Sequence, residues 1–344
     1  MNKILKYEIM IMAALLVVAL VVRFCTAPLE VPSPSDPIDS PSDTAQSTQQ
    51  TTAEPSNPET TAQPLPPLQD IAITWKTFPA DRQLTARKAF VYDCESESFT
   101  YLRGMELDRV YPASITKLFA LYVALQHLDP TQTITAGDVL DLVGEGSSVA
   151  EIEKGNVLTV DMLVEATLLP SGCDATYILA AEVGWQLSGD PSLSPSQAVA
   201  VFVEEMNRQA KANGMHSTHF VSPDGYHDDD HYTALGDLVT IAKLVMQTDI
   251  IMKYTHVKSA TETLESGESK FWENTNLLLD PDTEYYCPYA VGLKTGRTDA
   301  AGSCLLSVFN IEGRSIIIGV FDCPLREDRF DDALQLLNQY LENG

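Results

Sequence analysis

The sequence predicts an α/β fold of the α+β kind: one antiparallel sheet built from both ends of the folded region, flanked by helices, with a helical insert in the middle. Near the beginning, apolar and aromatic runs at residues 89–94 and 99–102 flank a polar tetrapeptide, a pattern typical of a β-hairpin. Three more strand-like runs follow near the end, at residues 289–294, 303–309 and 315–321. The stretch between these groups has helical patterns, so strands distant in sequence are expected to share one sheet.

Helices are predicted around the sheet and throughout the insert. A buried helix should follow Ser114, because an unbroken apolar and aromatic run, residues 118–125, comes directly after Lys117. Ser194, placed just ahead of Pro195, has the character of an N-cap. The other predicted helices occupy residues 161–169, 175–183, 194–212, 234–246 and 329–341.

The first 70 residues are predicted to precede the folded domain. Lys3 and Lys6 stand before an apolar run, residues 9–22, so we expect residues 1–25 to be a signal-anchor or a signal peptide. Residues 26–70 are rich in Pro, Ser, Thr and acids and hold no lysine or arginine, which is typical of a disordered linker. The folded domain would then span residues 71–344, outside the cell membrane and anchored to it, or secreted to the cell wall if the segment is cleaved.

Charge and cysteine content indicate which partners and metals the protein is not expected to bind. The chain of 344 residues has 22 Lys+Arg against 48 Asp+Glu, a net charge of -26, which disfavours nucleic acid as a partner. Its six cysteines include no Cys-x-x-Cys pair, and the spacing of a zinc site is missing. We therefore predict neither a cofactor nor a structural metal.

The stretch YPASITKL, residues 111–118, brings together a nucleophile and a base. Ser114 and Lys117 are three residues apart, so on a helix the Lys117 amine can reach the Ser114 hydroxyl. A lysine held against an apolar helix loses hydration, which favours its neutral amine and makes it available as a base. The same spacing also arises by chance, with the serine capping a helix and the lysine in solvent.

Two further motifs favour the catalytic interpretation. Ser171-Gly172-Cys173 lies at a predicted helix entrance, and Lys294-Thr295-Gly296 lies at the end of a predicted strand. Ser-x-x-Lys, Ser-x-Asn and Lys-Thr-Gly in this order mark the penicillin-recognising acyl-serine enzymes. Two of the three motifs fit outright, and the second fits in part.

Longer strings around these motifs resemble one family. YPASITKL, LLPSGCDAT, MNRQAKANGMHSTHFVSPDGYHDDDHYTALGDL and LKTGRTDAAGSCLL closely resemble the low-molecular-mass D-alanyl-D-alanine carboxypeptidases among the penicillin-binding proteins. The resemblance runs from about residue 86 to the C-terminus. It implies the DD-peptidase/β-lactamase-like fold, removal of the terminal D-alanine from peptidoglycan stem peptides ending in D-Ala-D-Ala, and covalent inhibition by β-lactam antibiotics.

The resemblance also implies catalytic roles. Ser114 would attack the carbonyl between the two D-alanines, with Lys117 as general base. Ser171 would relay a proton to the leaving amine. The backbone N–H groups of Ser114 and Arg297 would form the oxyanion hole.

Other residues are implied in substrate binding. Lys294 would add positive potential, and Thr295, next to Gly296, would offer its hydroxyl to the terminal carboxylate of the substrate. Arg329 matches the arginine that opens the last helix in many relatives, where a guanidinium suits bidentate capture of a carboxylate. The alternative for Arg329 is an ordinary charged residue on the surface.

Cys173 stands where the family usually has asparagine. A thiol is a weaker hydrogen-bonding group than an amide, so the enzyme would turn over slowly or serve as a wall-sensing protein that binds penicillin. One hypothesis is that Lys117 lowers the pKa of the thiol and makes it sensitive to oxidation. The alternative is a small buried residue that fills the space of the asparagine.

The residues leave two other interpretations to consider, a metal site and a β-lactamase. Histidines and aspartates at residues 227–231 resemble a metal-binding cluster, although the family resemblance implies instead that Asp230 and Thr233 are structural caps of the next helix. A β-lactamase on the same fold is disfavoured because we find no glutamate-bearing loop downstream of Ser171 that would supply a second base.

Overall fold

The computed structural model of the protein describes residues 67–343. Within that range lie seven α-helices: Thr116–Ala124 (α1), Val160–Leu168 (α2), Cys173–Ser188 (α3), Pro195–Ala212 (α4), Leu235–Met246 (α5), Asp249–Thr255 (α6) and Asp328–Asn343 (α7). The strands of the same range are Lys88–Asp93 (β1), Ser98–Arg103 (β2), Arg109–Val110 (β3), Thr133–Thr135 (β4), Val157–Thr159 (β5), Thr233–Ala234 (β6), Ser259–Thr263 (β7), Ser269–Glu273 (β8), Ala290–Thr298 (β9), Gly302–Ile311 (β10) and Arg314–Cys323 (β11). Short 3-10 helices are found at Leu68–Asp70, Ala113–Ile115, Asp138–Leu142 and Leu277–Leu279.

One five-stranded sheet joins the two ends of the domain. Its strand order is β2-β1-β11-β10-β9, and every neighbouring pair is antiparallel. The hairpin β1–β2 pairs with β11 from the other end of the chain, as predicted. Strand β9 is the outermost strand on its side, and it packs against the 3-10 helix Ala113–Ile115.

Along each strand, side chains point alternately to the two faces of the sheet. Both faces of this sheet are buried, each in a different core. In β11, Ile317 and Phe321 belong to the core shared with the helical insert. Ile316, Ile318 and Val320 belong to the opposite core, which α7 covers. Burial of both faces explains why these strands read as nearly continuous apolar runs.

The predicted helices are confirmed with small shifts of their ends. Ser194 caps α4 as expected: its side chain accepts from the backbone of Gln197, whose own side chain bonds back to the cap. The short helix α6 and the hairpin β7–β8 were not predicted from the sequence. The Lys-Thr-Gly motif lies inside β9, which continues to Thr298, and not at the end of a strand as predicted.

The domain begins slightly earlier than the predicted boundary at residue 71. Leu68 is buried in the same core as α7 and Trp75, so the end of the predicted linker already belongs to the fold. The predicted signal-anchor, Cys25 and most of the linker lie outside the described residues. Across residues 67–343, no helix is both long and apolar enough to cross a bilayer.

The cysteines of the described part are unpaired. Between residues 67 and 343, all five thiols are free: Cys94, Cys173, Cys287, Cys304 and Cys323. Four of them are buried, and only Cys94 is partly exposed.

Candidate active site

Ser114 lies on a tight turn that leads into α1. The 3-10 helix Ala113–Ile115 precedes the α-helix directly, and Ala113 has a positive φ of 48°, which costs free energy in a residue with a side chain. Lys117 is in the first turn of α1, and its Nζ donates a hydrogen bond of 2.8 Å to Ser114 Oγ. The predicted contact between lysine and serine is therefore present.

Lys117 is entirely enclosed. Its side chain is 0% exposed, although it carries an amine. Besides Ser114 Oγ, the Nζ donates to the backbone carbonyl of Asp224 at 3.1 Å. The alternative of a lysine in solvent is excluded by this burial, and the carbonyl fixes the direction in which the amine points.

Two glycines allow the Ser114 turn to be packed from both sides. Gly225 has a φ of 82°, and a Cβ there would lie 1.9 Å from the carbonyl oxygen of Ala113. A Cβ at Gly296, in β9, would lie 2.8 Å from the Pro112 carbonyl oxygen and 3.1 Å from the Ser114 nitrogen. Any larger residue at either place would displace the nucleophile.

Ser171 and Cys173 lie at the N-terminal end of α3. Ser171 is buried and has a φ of 64°, so it too sits in a strained turn. Its carbonyl accepts from Ser148 Oγ at 2.8 Å, and the N–H of Cys173 donates to the Ser148 carbonyl at 2.8 Å. The loop that carries Ser148 is held in turn by Asp174, whose carboxylate accepts the N–H groups of Ala150 and Ile152.

The hypothesis of a lowered thiol pKa at Cys173 is wrong. The side chain is buried, and burial raises the pKa of the thiol more than the nearby Lys117 lowers it. The Sγ has a weak contact with the Ser171 carbonyl at 4.0 Å. Cys173 is thus a protonated, buried thiol, which agrees with the alternative of a small residue filling the space of an amide.

Strand β9 supplies the third part of the site. Lys294 is 1% exposed, and burial together with the charges of Lys117 and Arg329 holds the pKa of Lys294 well below its usual value. The hydroxyls of Thr295 and Thr275 are 2.6 Å apart. The segment after β8 therefore holds the Thr295 side chain in position.

Arg329 is buried near the beginning of α7, and not on the surface. It is 7% exposed, its Nη1 donates to the Gly296 carbonyl at 3.3 Å, and its Nε has no hydrogen-bond partner among the described residues. Burial lowers the pKa of its guanidinium to about 10, so the group remains cationic at neutral pH. Arg297, by contrast, has an exposed side chain.

A cleft of about 900 Å³ unites these parts. Seven of the nine predicted site residues line it: Ser114, Ser171, Cys173, Thr295, Gly296, Arg297 and Arg329. The two lysines, Lys117 and Lys294, are buried behind this lining. The three motifs, far apart in sequence, therefore meet at one cleft whose two amines are shielded from solvent.

Sequence reasoning missed two residues that contact the site. The Asp224 carbonyl orients Lys117, and Thr275 contacts Thr295. Every residue has a backbone carbonyl, so residue type does not predict that the Asp224 carbonyl contacts Lys117. The only signal in the sequence was the Asp-Gly turn at residues 224–225. Thr275 lies in a segment without a recognisable motif.

The cap prediction for residues 230–233 is wrong. Helix α5 begins at Leu235 with Ala234 as a cap that has no side-chain hydrogen bond, and the Thr233 hydroxyl lies 2.8 Å from that of Thr218. In the described range 67–343, no group of three or more His, Cys, Asp and Glu side chains is placed to hold a metal ion.

Comparison with known proteins decides the family. The family model of D-alanyl-D-alanine carboxypeptidases, peptidase family S11, matches residues 75–324. The chain belongs to this D-alanyl-D-alanine carboxypeptidase family. As a member of it, the protein is a serine peptidase and thus a hydrolase.

Two relatives illustrate the similarity. The chain is 32% identical over 237 residues to a D-alanyl-D-alanine carboxypeptidase of Streptomyces sp. strain K15, an alignment that covers 65% of this chain and 77% of that protein. It is 27% identical over 257 residues to the D-alanyl-D-alanine carboxypeptidase DacF of Bacillus subtilis, covering 74% of this chain and 61% of DacF. This carboxypeptidase homologue therefore spans about three fifths of the length of DacF.

Solved structures confirm the predicted fold. The Streptomyces K15 DD-transpeptidase superposes with a TM-score of 0.68 at 26% identity, covering 76% of this chain and 98% of that chain. The ampicillin-bound penicillin-binding protein D2 of Listeria monocytogenes superposes with a TM-score of 0.60 at 27% identity, covering 76% and 98%. Structures of the K15 enzyme include variants at a serine and at a cysteine two positions later, the spacing of Ser171 and Cys173.

Proposed function

We propose that this carboxypeptidase homologue removes the terminal D-alanine from peptidoglycan stem peptides ending in D-Ala-D-Ala, through an acyl-enzyme on Ser114. The observation that carries the proposal is the hydrogen bond of 2.8 Å between the buried Lys117 amine and the hydroxyl of Ser114, which lines the cleft. A serine of ordinary acidity needs such an adjacent base to become a nucleophile.

The acylation step follows from this geometry. For acylation the direction of this hydrogen bond reverses: the Ser114 hydroxyl donates to the lone pair of Lys117 Nζ, which takes the proton as Oγ attacks the carbonyl carbon between the two D-alanines, and a tetrahedral intermediate forms. The N–H groups of Ser114 and Arg297 stabilise its oxyanion. The C–N bond then breaks, Ser171 gives its hydroxyl proton to the departing amine and takes in its place the proton held on Lys117, and D-alanine leaves. Water hydrolyses the ester and frees Ser114.

Recognition of the substrate depends on its free carboxylate. Arg329 is a cation that lines the cleft, and among the described residues its guanidinium makes a single hydrogen bond, to the Gly296 carbonyl, so it has hydrogen-bonding capacity for an anion. Thr295 adds a hydroxyl in the same strand as Lys294. Capture of a C-terminal carboxylate by these groups would make the enzyme an exopeptidase, because a peptide that continues beyond the second D-alanine lacks that charge.

β-Lactams are proposed covalent inhibitors at the same serine. Attack of Ser114 Oγ on the lactam carbonyl would open the ring and leave an acyl-enzyme whose leaving group stays tethered. The ampicillin-bound form of the Listeria monocytogenes relative supports the proposal.

We also propose that the domain works outside the cytoplasmic membrane. Peptidoglycan peptides lie there, and the apolar run at residues 9–22 has the character of an export signal or an anchor. The Pro-rich linker predicted at residues 26–70 would then act as a tether between the membrane and the domain.

A second function is favoured by Cys173. The buried, protonated thiol offers weaker hydrogen bonds than the asparagine usual in the family, which would slow turnover. A protein that is acylated without rapid turnover would serve as a wall-sensing receptor.

Two assays on the purified protein separate these functions. The first is labelling with a fluorescent penicillin, and the second is D-alanine release from diacetyl-L-Lys-D-Ala-D-Ala under reducing conditions. We expect labelling and release, both lost in Ser114→Ala. Labelling without release would favour the receptor, rapid loss of the label as penicilloate would indicate a β-lactamase, and no labelling would overturn the acyl-serine proposal.

A further inference from the structure

His231 is a buried histidine that no step of the proposed reaction uses, yet its ring contacts two separate parts of the site. Nε2 lies 2.9 Å from Thr116 Oγ1, in the first turn of α1. Nδ1 accepts the backbone N–H of Val221 at 3.1 Å and that of Ser222 at 3.4 Å. The ring therefore links the catalytic helix to the loop that follows Phe220.

These contacts determine the tautomer of the ring. A backbone N–H can only donate, so Nδ1 carries no hydrogen and the ring proton lies on Nε2, which donates to Thr116 Oγ1. His231 is 2% exposed, and burial lowers its pKa to about 4. Asp224 and Asp228 raise that pKa and His219 and His227 lower it further, but burial dominates, so the ring is neutral near pH 7.

Both linked parts hold reacting groups in place. Thr116 lies between Ser114 and Lys117 in sequence. On the other side, the backbone after Ser222 leads to Asp224, whose carbonyl accepts the Lys117 amine at 3.1 Å. Gly225 then packs against the carbonyl of Ala113. Helix α1, the loop after Phe220 and His231 therefore contact one another around the Lys117 amine.

We propose that neutral His231 is a positioning residue for acyl transfer: it fixes the loop that carries the Asp224 carbonyl against α1, and so holds Lys117 Nζ at Ser114 Oγ. The proposal rests on the proposed function, since it requires acylation of Ser114. A displacement of about 1 Å between reacting groups costs on the order of 10²-fold in rate.

Four variants isolate the bond between His231 and Thr116. His231→Asn places an acceptor near the position of Nδ1 and keeps the loop contact, but it removes the donor to Thr116. Thr116→Val removes the acceptor while keeping the shape of the side chain. Thr116→Ser restores the hydroxyl, and the double variant His231→Asn with Thr116→Val removes both partners. Tyr340→Phe is the matched control, because it deletes a buried hydrogen bond to Asp93 on the opposite side of the sheet.

The measurement is the second-order rate constant of Ser114 acylation by a fluorescent penicillin at pH 7, with thermal unfolding of each variant recorded in parallel. We expect His231→Asn and Thr116→Val each to slow acylation about 10- to 100-fold. The double variant should be no slower than the slower single one, because both changes remove the same bond. Thr116→Ser should stay near the wild-type rate, and Tyr340→Phe should lose stability without losing rate.

A merely structural role gives a different result. If folded His231→Asn and Thr116→Val acylate at the wild-type rate, or if their effects multiply in the double variant, the proposal is overturned. Should His231→Asn fail to fold, the pair Thr116→Val and Thr116→Ser decides the question from the other side of the bond. A wild-type protein that takes no label overturns the proposed function as well, whereas unaffected variants of a labelled protein overturn the positioning role alone.

Discussion

The two sides of the cleft are built in different ways. On the helical side, Ser114 and Ser171 sit on tight turns in which Ala113 and Ser171 itself have positive φ. On the strand side, Lys294, Thr295 and Gly296 lie in regular backbone of β9, in register with β10. The helical turns are energetically unfavourable by themselves and depend on their neighbours, whereas the strand is held by its ladder of hydrogen bonds.

Because they are built differently, the two sides of the cleft have different tasks. The helical side holds the atoms whose bonds change, and their placement depends on close contacts from Gly225 and the Asp224 carbonyl. The strand side supplies fixed charge and hydroxyl groups for the substrate. We therefore expect substitutions on the helical side to affect the rate of acylation most. Substitutions on the strand side should act through substrate binding and through the electrostatic potential in the cleft.

The largest contrast should come from the two buried lysines. Lys117→Met removes the base and should slow acylation by penicillin about 10⁴-fold. Lys294→Met makes the same chemical change on the strand side but leaves the base in place, so about a 10²-fold loss is expected. Stopped-flow acylation measures both, and equal losses would contradict the division of tasks.

Gly225→Ala tests the dependence of the Ser114 turn on its neighbour. The new Cβ would overlap the carbonyl oxygen of Ala113, so the turn must shift, and acylation should fall about 10²-fold with a stability loss of about 1–3 kcal/mol. Gly236→Ala is the control, because the nearest atom to its Cβ is 3.5 Å away. A Gly225→Ala variant that acylates like Gly236→Ala would show that the turn holds its shape unaided.

Cys173→Asn should give a smaller change. The amide supplies two donors and an acceptor to the helical side, and we expect D-alanine release to rise by up to about tenfold, with little effect on labelling by penicillin. Steady-state release from the diacetyl tripeptide is the measurement, and Cys287→Ser, a buried thiol replaced in the other core, is the control. A slower Cys173→Asn enzyme would mean that the site is adapted to the thiol.

The smallest effect concerns Glu165, a residue of the helical region that does not line the cleft. Burial and a hydrogen bond with Glu262 raise the pKa of Glu165 to about 7. Because this pKa is above its unfolded value, the contribution to stability is full below about pH 4.5 and is lost as pH rises through 7. Glu165→Gln should therefore gain up to about 3 kcal/mol relative to wild type between pH 5 and pH 8, read as a shift in melting temperature. The exposed Glu204→Gln should show no such change, and parallel pH curves for wild type and Glu165→Gln would contradict the assignment.

The sequence predicted the strand side of the site better than the helical side. The motif Lys294-Thr295-Gly296 stands in one continuous string of residues, and the apolar runs around it predicted the strands from local composition, although the motif lies inside β9 and not at the end of a strand as predicted. The contact between Ser114 and Lys117 also followed from spacing alone. The positive φ of Ala113, the Asp224 carbonyl and the ring of His231 could not be predicted, because they are set by backbone geometry and by packing between segments far apart in sequence.

Of the two interpretations of Cys173, the small buried residue is confirmed, and the lowered thiol pKa is wrong for a related reason. Proximity to a lysine lowers a thiol pKa, but burial raises it, and only the structure shows that burial is the larger effect here. The segment 1–25 stays a prediction, since it lies outside the described residues.

The central claim is that Ser114 becomes acylated with the help of Lys117. Intact-protein mass spectrometry after incubation with benzylpenicillin, followed by peptide mapping, tests it most directly. We predict one added penicilloyl group, on the peptide that carries Ser114, and none in Ser114→Ala or in a brief incubation of Lys117→Met. A wild-type protein without the adduct, or an adduct that persists in Ser114→Ala, would contradict the account.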